Sequence, residues 1–320
     1  MQSPSPSTVV VLGTGGTISG TAASPDDNLG YVAGTVGVDA LVAGVGGPAG
    51  VRVETEQIAQ LDSKDMDFAT WRRLAQRVAH HAARPEVAGV VVTHGTDTLE
   101  ETAYFLARVL PVVKPVVLTG AMRPASAREA DGPRNLADAI AMAAARAGAG
   151  VVVAFAGALH SARDVRKVHS SQLDAFSSGD AGPLGRVEEG RLRQLRDWSD
   201  EPGLGVGVLA IGPARWPRVA IVTAAAGAGA WMVEAFRSAE VKGIVVAATG
   251  NGTLHHALEA ALQSAQASGV AVLRSTRCQE GRIVPGGRRN GDVLPSAGAL
   301  TPVQARIELM LQLLAGPGAA

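Results

Sequence analysis

This 320-residue chain is short of cysteine, of aromatic rings and of net charge, and each shortage removes a class of protein. The single Cys278 has no partner in the chain, so a disulfide scaffold, a thiol zinc ribbon and a dithiol redox motif are all ruled out. A reducing compartment suits such a chain, and a cytoplasmic location is expected. Lys plus Arg and Asp plus Glu number 29 each, which leaves no net field to gather nucleic acid or an anionic membrane surface. The expected partner is a small molecule. No apolar run approaches the ~20 residues that span a bilayer, and residues 1–8 lack the basic and apolar regions of an export signal. With 47% hydrophobic residues but only 3% aromatic, the core must be built from Val, Leu, Ala and Gly, and the composition argues against disorder.

What is present is an alternation. Short apolar runs at 9–12, 90–93, 116–118, 151–155, 219–223, 244–247 and 270–273 are separated by stretches of helical period, the pattern of β-α units around a mostly parallel sheet. Trp71, Leu74, Ala75, Val78 and Ala82 fall on one helical face, which should pack on such a sheet. Thr98 with Glu101, and Thr301 with Pro302 and Gln304, read as capping boxes at two helix starts. Between 191 and 217 the texture becomes charged, then Gly-rich, then Pro-containing. We therefore expect an α/β protein of two domains, a larger one at 1–192 and a smaller one at 218–320, joined by a connector at 193–217.

Two loops carry the chemistry. Thr14-Gly15-Gly16-Thr17-Ile18 and Thr93-His94-Gly95-Thr96-Asp97-Thr98 each follow an apolar run, and in a parallel sheet loops at the carboxyl ends of neighbouring strands share one crevice. A threonine hydroxyl is a weak nucleophile that needs a base and an open approach, and Gly15 and Gly16 provide the approach. Read alone, the first loop is equally a Gly-rich turn and the second a helix cap. Thr96 and Asp97 precede a helix amino terminus, where backbone N–H groups hold an anion without a metal. The first loop fails the dinucleotide fingerprint at Ile18, and neither a phosphate loop, a serine nucleophile elbow nor a zinc-binding His-Glu-x-x-His occurs. His80, His81, His255 and His256 lack the spacing of a ligand set, so no metal and no cofactor is expected. The run Arg163-Asp164-Val165-Arg166-Lys167 reads either as a solvated face or, if Lys167 is buried beside Asp97, as a proton acceptor or fixed cation next to Thr96.

With those motifs in hand, the chain resembles the bacterial-type L-asparaginase family. The likeness extends from the two loops through Leu99-Glu100-Glu101-Thr102-Ala103, Gly120-Ala121-Met122-Arg123-Pro124, Asp131-Gly132-Pro133, Arg163-Asp164-Val165 and Gly250-Asn251-Gly252, and weakens in the connector and after Arg277. It implies an amidohydrolase that releases ammonia from asparagine through a nucleophilic Thr17, with Tyr31 on a mobile lid at about 21–33. It implies a second cluster of Thr96, Asp97 and Lys167 that helps water attack the resulting ester. Substrate would be held by Gly16, Gly95, Ser63 at its carboxylate and Asp97 at its ammonium, with Asn251 and Thr253 at a subunit edge. A homotetramer built from intimate dimers is implied as well.

Two departures bear on the substrate ammonium. The family commonly has Gln where Lys64 stands, and the acidic residue expected after Arg277 is missing from positions 281–288. Both predict weak asparagine binding and poorer glutamine use, provided the Lys64 side chain lines the pocket. Within the family the rivals are a glutaminase-asparaginase, a D-amino-acid amidase and an ammonia-supplying amidotransferase subunit, the last disfavoured by the eight residues before the first strand. Outside enzymes, a silent asparagine sensor would keep Ser63 and Asp97 but has no use for Thr17, Thr96 and Lys167 together.

Overall fold

A computed structural model of the chain describes residues 7–111, 114–145, 148, 150–198, 203–284 and 294–316. It divides into two compact units, Met1–Val206 and Gly207–Ala320. The larger unit runs β1 (Ser7–Gly15), α1 (Val38–Ala43), β2 (Val51–Leu61), α2 (Phe68–Ala82), β3 (Val87–Thr93), α3 (Leu99–Val109), β4 (Pro115–Thr119), α4 (Gly132–Ala145), β5 (Gly150–Phe155) and β6 (Ala158–Ser161). It continues with β7 (Arg166–Lys167), β8 (Phe176–Ser177), β9 (Gly185–Glu188) and β10 (Arg191–Gln194). The eight-stranded sheet has the order β10-β9-β6-β5-β4-β3-β1-β2, with β7 and β8 forming a separate pair. Strands β1 to β5 are parallel, and β6, β9 and β10 extend the sheet antiparallel.

The apolar runs become central strands because both faces of a parallel sheet are covered. Val9, Val11, Val91, Val117 and Val152 pack with Leu136, Ala139 and Ile140 of α4. Alternation turns Val10 and Leu12 to the other face, where α2 and α3 lie and the rings of Trp71 and Phe105 stack with centroids 4.7 Å apart. Helix α2 presents the stripe expected of it, with Trp71, Leu74, Ala75 and Val78 buried, and Asp67 caps its start by accepting from the Thr70 N–H at 2.7 Å. Strand β2 was not expected. Its sequence, VRVETEQIAQL, is polar because it is an edge strand, and Glu54 and Glu56 are paired there with Arg84 and Arg77. The antiparallel strands β6 and β8 to β10 also escaped a search for apolar runs, being only two to four residues long. The stretch at 193–217 begins inside β10, and positions 199–202 of it lie outside the described residues.

The smaller unit holds β11 (Val219–Thr223), α5 (Ala230–Ser238), β12 (Gly243–Ala248), α6 (His256–Ala267), β13 (Ala271–Thr276) and α7 (Pro302–Ala315). Its three strands are parallel in the order β11-β12-β13. Val222, Ile244, Val246 and Val272 form a core with Val233, Leu258 and Leu262 from α5 and α6. Helix α7 starts as expected, with the Thr301 hydroxyl accepting from the Gln304 N–H and the Gln304 side chain accepting from the Thr301 N–H. Both units are thus helices packed on mostly parallel sheets. Among the described residues, no helix is long and apolar enough to cross a membrane.

Candidate active site

The larger sheet changes direction at β1. The chain adds β2 on one side of it and then crosses to add β3 on the other, so β1 borders the point where crevices form above the carboxyl ends of strands. Three loops meet there. Thr17 begins a 3-10 turn after β1, Ser63 begins another after β2, and Thr96 follows β3. The Thr14 hydroxyl donates to the Thr93 carbonyl at 2.9 Å and ties the first loop to the third.

Glycine makes the approach. Gly15 and Gly16 have φ of 101° and 82°, a region that costs side-chain-bearing residues dearly. A Cβ on Gly16 would meet the Gly95 backbone at 2.3 Å, and one on Gly95 would meet the Ser63 hydroxyl at 2.6 Å. The loops therefore touch backbone to backbone, with Thr17, Ser63 and Thr96 all buried around the contact. Thr17 Oγ1 lies 2.7 Å from the phenolic oxygen of Tyr31.

The segment carrying Tyr31 is tied down at several points. Thr21 and Val32 exchange two backbone hydrogen bonds, the Ala22 N–H donates to the Ser126 hydroxyl at 2.8 Å, and Arg128 pairs with Asp26 at 3.2 Å. At its tip Asp27 accepts from the N–H groups of Leu29 and Gly30, which hold its carboxyl below the usual carboxylate range.

On the far side of Thr96, Lys167 Nζ donates to Thr96 Oγ1 at 2.9 Å and to Asp97 Oδ1 at 2.6 Å. The charge run from Arg163 is therefore only partly a solvated face, since Lys167 turns its ammonium inward while Asp164 pairs with Arg196. The Thr98 capping box does not form. Thr98 is at the cap position of α3, but its hydroxyl donates to the Ser63 carbonyl at 2.8 Å and makes no capping bond. Holding the neighbouring loop displaces the local role that sequence spacing suggested.

His94 orients this loop from beneath. The Gly95 carbonyl can only accept, so His94 Nδ1 carries the proton it donates there at 2.7 Å, and Nε2 accepts from the Thr102 hydroxyl at 2.9 Å. Thr102 in turn accepts from Trp71 Nε1 at 2.8 Å, a group that only donates. With the Gly95 carbonyl turned toward His94, the N–H of the same trans peptide, on Thr96, points the opposite way. Burial pushes the His94 imidazole down to about 4, against the opposing effect of its Gly95 bond, so the ring is neutral at working pH.

His160 is buried likewise, bonded to the Ser178 hydroxyl at 2.8 Å and lowered to about 4 by burial and by the charges of Arg186 and Arg196. For both rings the folded value lies below the ordinary 6.5, so the stability each contributes is complete above about 6.5 and is lost as pH falls through about 4. Fully lost, each is worth roughly 3 kcal/mol. Glu100 runs the other way. Burial lifts it to about 7, and the Lys167 N–H opposes the rise, so its contribution is lost as pH climbs from about 4.5 through 7. As pH falls from 6.5 to 4 the two imidazoles together outweigh the opposite contribution of Glu100, so the thermal midpoint is expected to drop there, and His160→Gln should remove most of that net drop. Equal drops in the two proteins would assign the acid sensitivity to other groups.

The remaining candidates have partners of their own. Lys64 directs its ammonium to Asp65 at 2.5 Å and Asp62 at 3.5 Å, and its side chain is 61% exposed. In the smaller unit, Asn251 grips the backbone of Val284 through both ends of its amide, and Thr253 pairs with Thr249. Of the segment 281–288, positions 285–288 lie outside the described residues. His81 joins Glu56 and Arg77 in an ion network, and no metal-binding cluster occurs among the described residues. Sequence reasoning gave Glu100 no role, although its carboxylate accepts from the Lys167 backbone N–H at 2.9 Å. A capping-box search looks three residues past the cap, to Glu101, and steps over it.

Comparison with known proteins gives the family. Residues 8–199 match the family of the asparaginase N-terminal domain, and residues 218–319 match the glutaminase/asparaginase C-terminal domain. The chain is 38% identical to L-asparaginase 2 of Bacillus subtilis (strain 168), over 95% of this chain and 81% of that protein. It is 37% identical to the glutaminase-asparaginase of Pseudomonas fluorescens biotype A, over 95% of this chain and 86% of that protein. A crystal structure described as a probable cytoplasmic L-asparaginase from Campylobacter jejuni superposes with a TM-score of 0.88 at 37% identity, covering 96% of this chain and 95% of that one. By sequence along both units and by fold, the chain belongs to the asparaginase family.

Proposed function

We propose that this protein hydrolyses L-asparagine to L-aspartate and ammonia through a threonine-linked acyl-enzyme. The observation that carries the reading is the meeting of two hydroxyl systems over adjacent parallel strands, Thr17 with Tyr31 and Thr96 with Lys167 and Asp97. In the first step Thr17 Oγ1 attacks the side-chain amide carbon and gives up its proton, for which Tyr31 is the nearest acceptor or relay. The C–N bond breaks, the departing nitrogen takes a proton, and a β-aspartyl ester remains on Thr17. In the second step water, activated at Thr96 with Lys167 and Asp97, attacks the ester and frees Thr17. The N–H of Thr96 and the others opening α3 are suited to hold the oxyanion, a contribution of about 3 kcal/mol per donor in other enzymes. Ser63 and Asp97 hold the substrate carboxylate and ammonium, with Gly16 and Gly95 leaving room for close approach. No metal or organic cofactor is needed for these steps.

Ammonia release measured in parallel from L-asparagine, L-glutamine and D-asparagine tests the proposal. L-Asparagine should be fastest, and a protein inactive on all three would be a sensor instead. Because the Lys64 ammonium is satisfied by Asp65 and Asp62, Lys64→Gln is now expected to leave KM within about twofold, as for a surface substitution. A several-fold fall in KM would return that side chain to the substrate pocket. We further propose a homotetramer of intimate dimers to which Asn251 and Thr253 contribute an edge, which light scattering and substitution of Asn251 test. The cytoplasm is proposed as its compartment, by likeness to the Campylobacter jejuni protein. A relative from Haemophilus influenzae, 35% identical, is called periplasmic, so cell fractionation decides.

A further inference from the structure

We propose that Glu100 is a positioning residue for this hydrolysis: its carboxylate holds the backbone N–H of Lys167 and so sets where the lysine ammonium meets Thr96 and Asp97. The inference rests on the amidohydrolase reading above. Lys167 belongs to a strand of only two residues, which pairs with β8 and not with the main sheet. Its ammonium nevertheless keeps two short contacts, at 2.9 and 2.6 Å, from the end of a side chain with four rotatable bonds. Such precision requires the main chain below it to be fixed. The Glu100 carboxylate, 2.9 Å from the Lys167 nitrogen, supplies that fixing point from the first turn of α3.

The anchor and the target belong to one rigid unit. Thr96 and Asp97 lead directly into α3, and Glu100 is the second residue of that helix. Lys167 is therefore held at both ends, main chain and ammonium, by residues 96–100. A displacement of β7 relative to the helix start would strain both ammonium contacts together. A misplacement of about 1 Å typically costs a catalytic group on the order of 100-fold in rate.

Stability alone is a poor reason for a carboxyl at this position. Burial is the main influence on it and disfavours its charge, Glu101 adds to that effect, and the N–H bond and the charges of Arg166 and Lys167 offset it only in part. A group kept where its ionised form is disfavoured, beside a reactive cluster, marks a functional constraint. Nor is Glu100 the cap of α3, since Thr98 holds that position and the Glu100 Oε2 accepts from the Lys167 N–H of β7.

Steady-state kinetics on asparagine with Glu100→Ala, Glu100→Gln and the double variant Glu100→Ala with Lys167→Ala test the proposal. Glu100→Ala should lower kcat by about 10- to 100-fold with KM within about twofold. Glu100→Gln, whose amide oxygen still accepts the N–H, should stay within about threefold of the parent. On the Lys167→Ala background the same Ala change should cost less than about threefold, because its effect passes through the lysine. Should Glu100→Ala not fold, Glu100→Asp takes its place, keeping the charge but withdrawing the oxygen by one methylene. Wild-type kcat in the Ala variant, a Gln variant as impaired as Ala, or equal losses with and without Lys167 would each overturn the proposal. A wild type that releases no ammonia overturns the amidohydrolase reading and this proposal with it, whereas an active wild type beside an unaffected Ala variant overturns this proposal alone.

Discussion

Thr17→Ala is expected to lower kcat for asparagine hydrolysis by at least about 1,000-fold while leaving a folded protein, because the change removes the atom proposed to form the ester. The structural loss is small. Thr17 gives up one hydrogen bond, to Tyr31, worth about 1 kcal/mol, and the 3-10 turn is held independently by the Gly16 N–H on the Leu61 carbonyl and the Gly20 N–H on the Thr17 carbonyl. Thr17→Ser keeps a hydroxyl and should retain measurable turnover. Ammonia release and the thermal midpoint, measured on the same preparations, separate chemistry from folding. If Thr17→Ala kept a tenth of the parental kcat, another group would be the nucleophile.

Lys167→Met should cost about 100- to 10,000-fold in kcat and, more tellingly, should divide the two steps of the reaction. The ammonium lies on Thr96 and Asp97, whereas the hydroxyl of Thr17 is engaged by Tyr31. If the lysine serves the second step, the variant still forms the ester. It then shows a rapid burst of one ammonia per site followed by slow turnover, and mass spectrometry of the intact protein finds an aspartyl adduct. A variant that shows neither burst nor adduct, but is equally slow, would move Lys167 to the first step. The methionine fills nearly the same volume, so the exposed carboxylate of Asp97 loses a partner without the creation of a cavity.

The fold was legible where burial on two faces left a continuous apolar run, as at residues 90–93 in β3 and 244–247 in β12. It was not legible in β2, where an edge position lets Glu54 and Glu56 face arginines and the strand reads as polar. The site divides along the same line. Thr17 and Thr96 announce themselves because each stands in a Gly-rich loop after such a run, whereas Lys167 was one of two readings of a charge run until the resemblance favoured it, since such a run is by itself compatible with solvent. Thr98 misled, because spacing predicts a local cap and cannot show that the Ser63 carbonyl competes for the same hydroxyl. Glu100 was passed over for the same reason: its partner is 67 positions away.

The sequence by itself determined the class of fold, the two threonine-bearing loops and the family, since these follow from local period, glycine placement and contiguous motifs. The tertiary structure alone decided which side chains meet: the backbone contact of Gly16 with Gly95, the inward turn of Lys167, the outward turn of Lys64 and the grip of Glu100 on β7. The physical reason is range. Periodicity and capping act over a few residues, whereas a hydrogen bond between loops exists only once the sheet has set β1, β2 and β3 side by side.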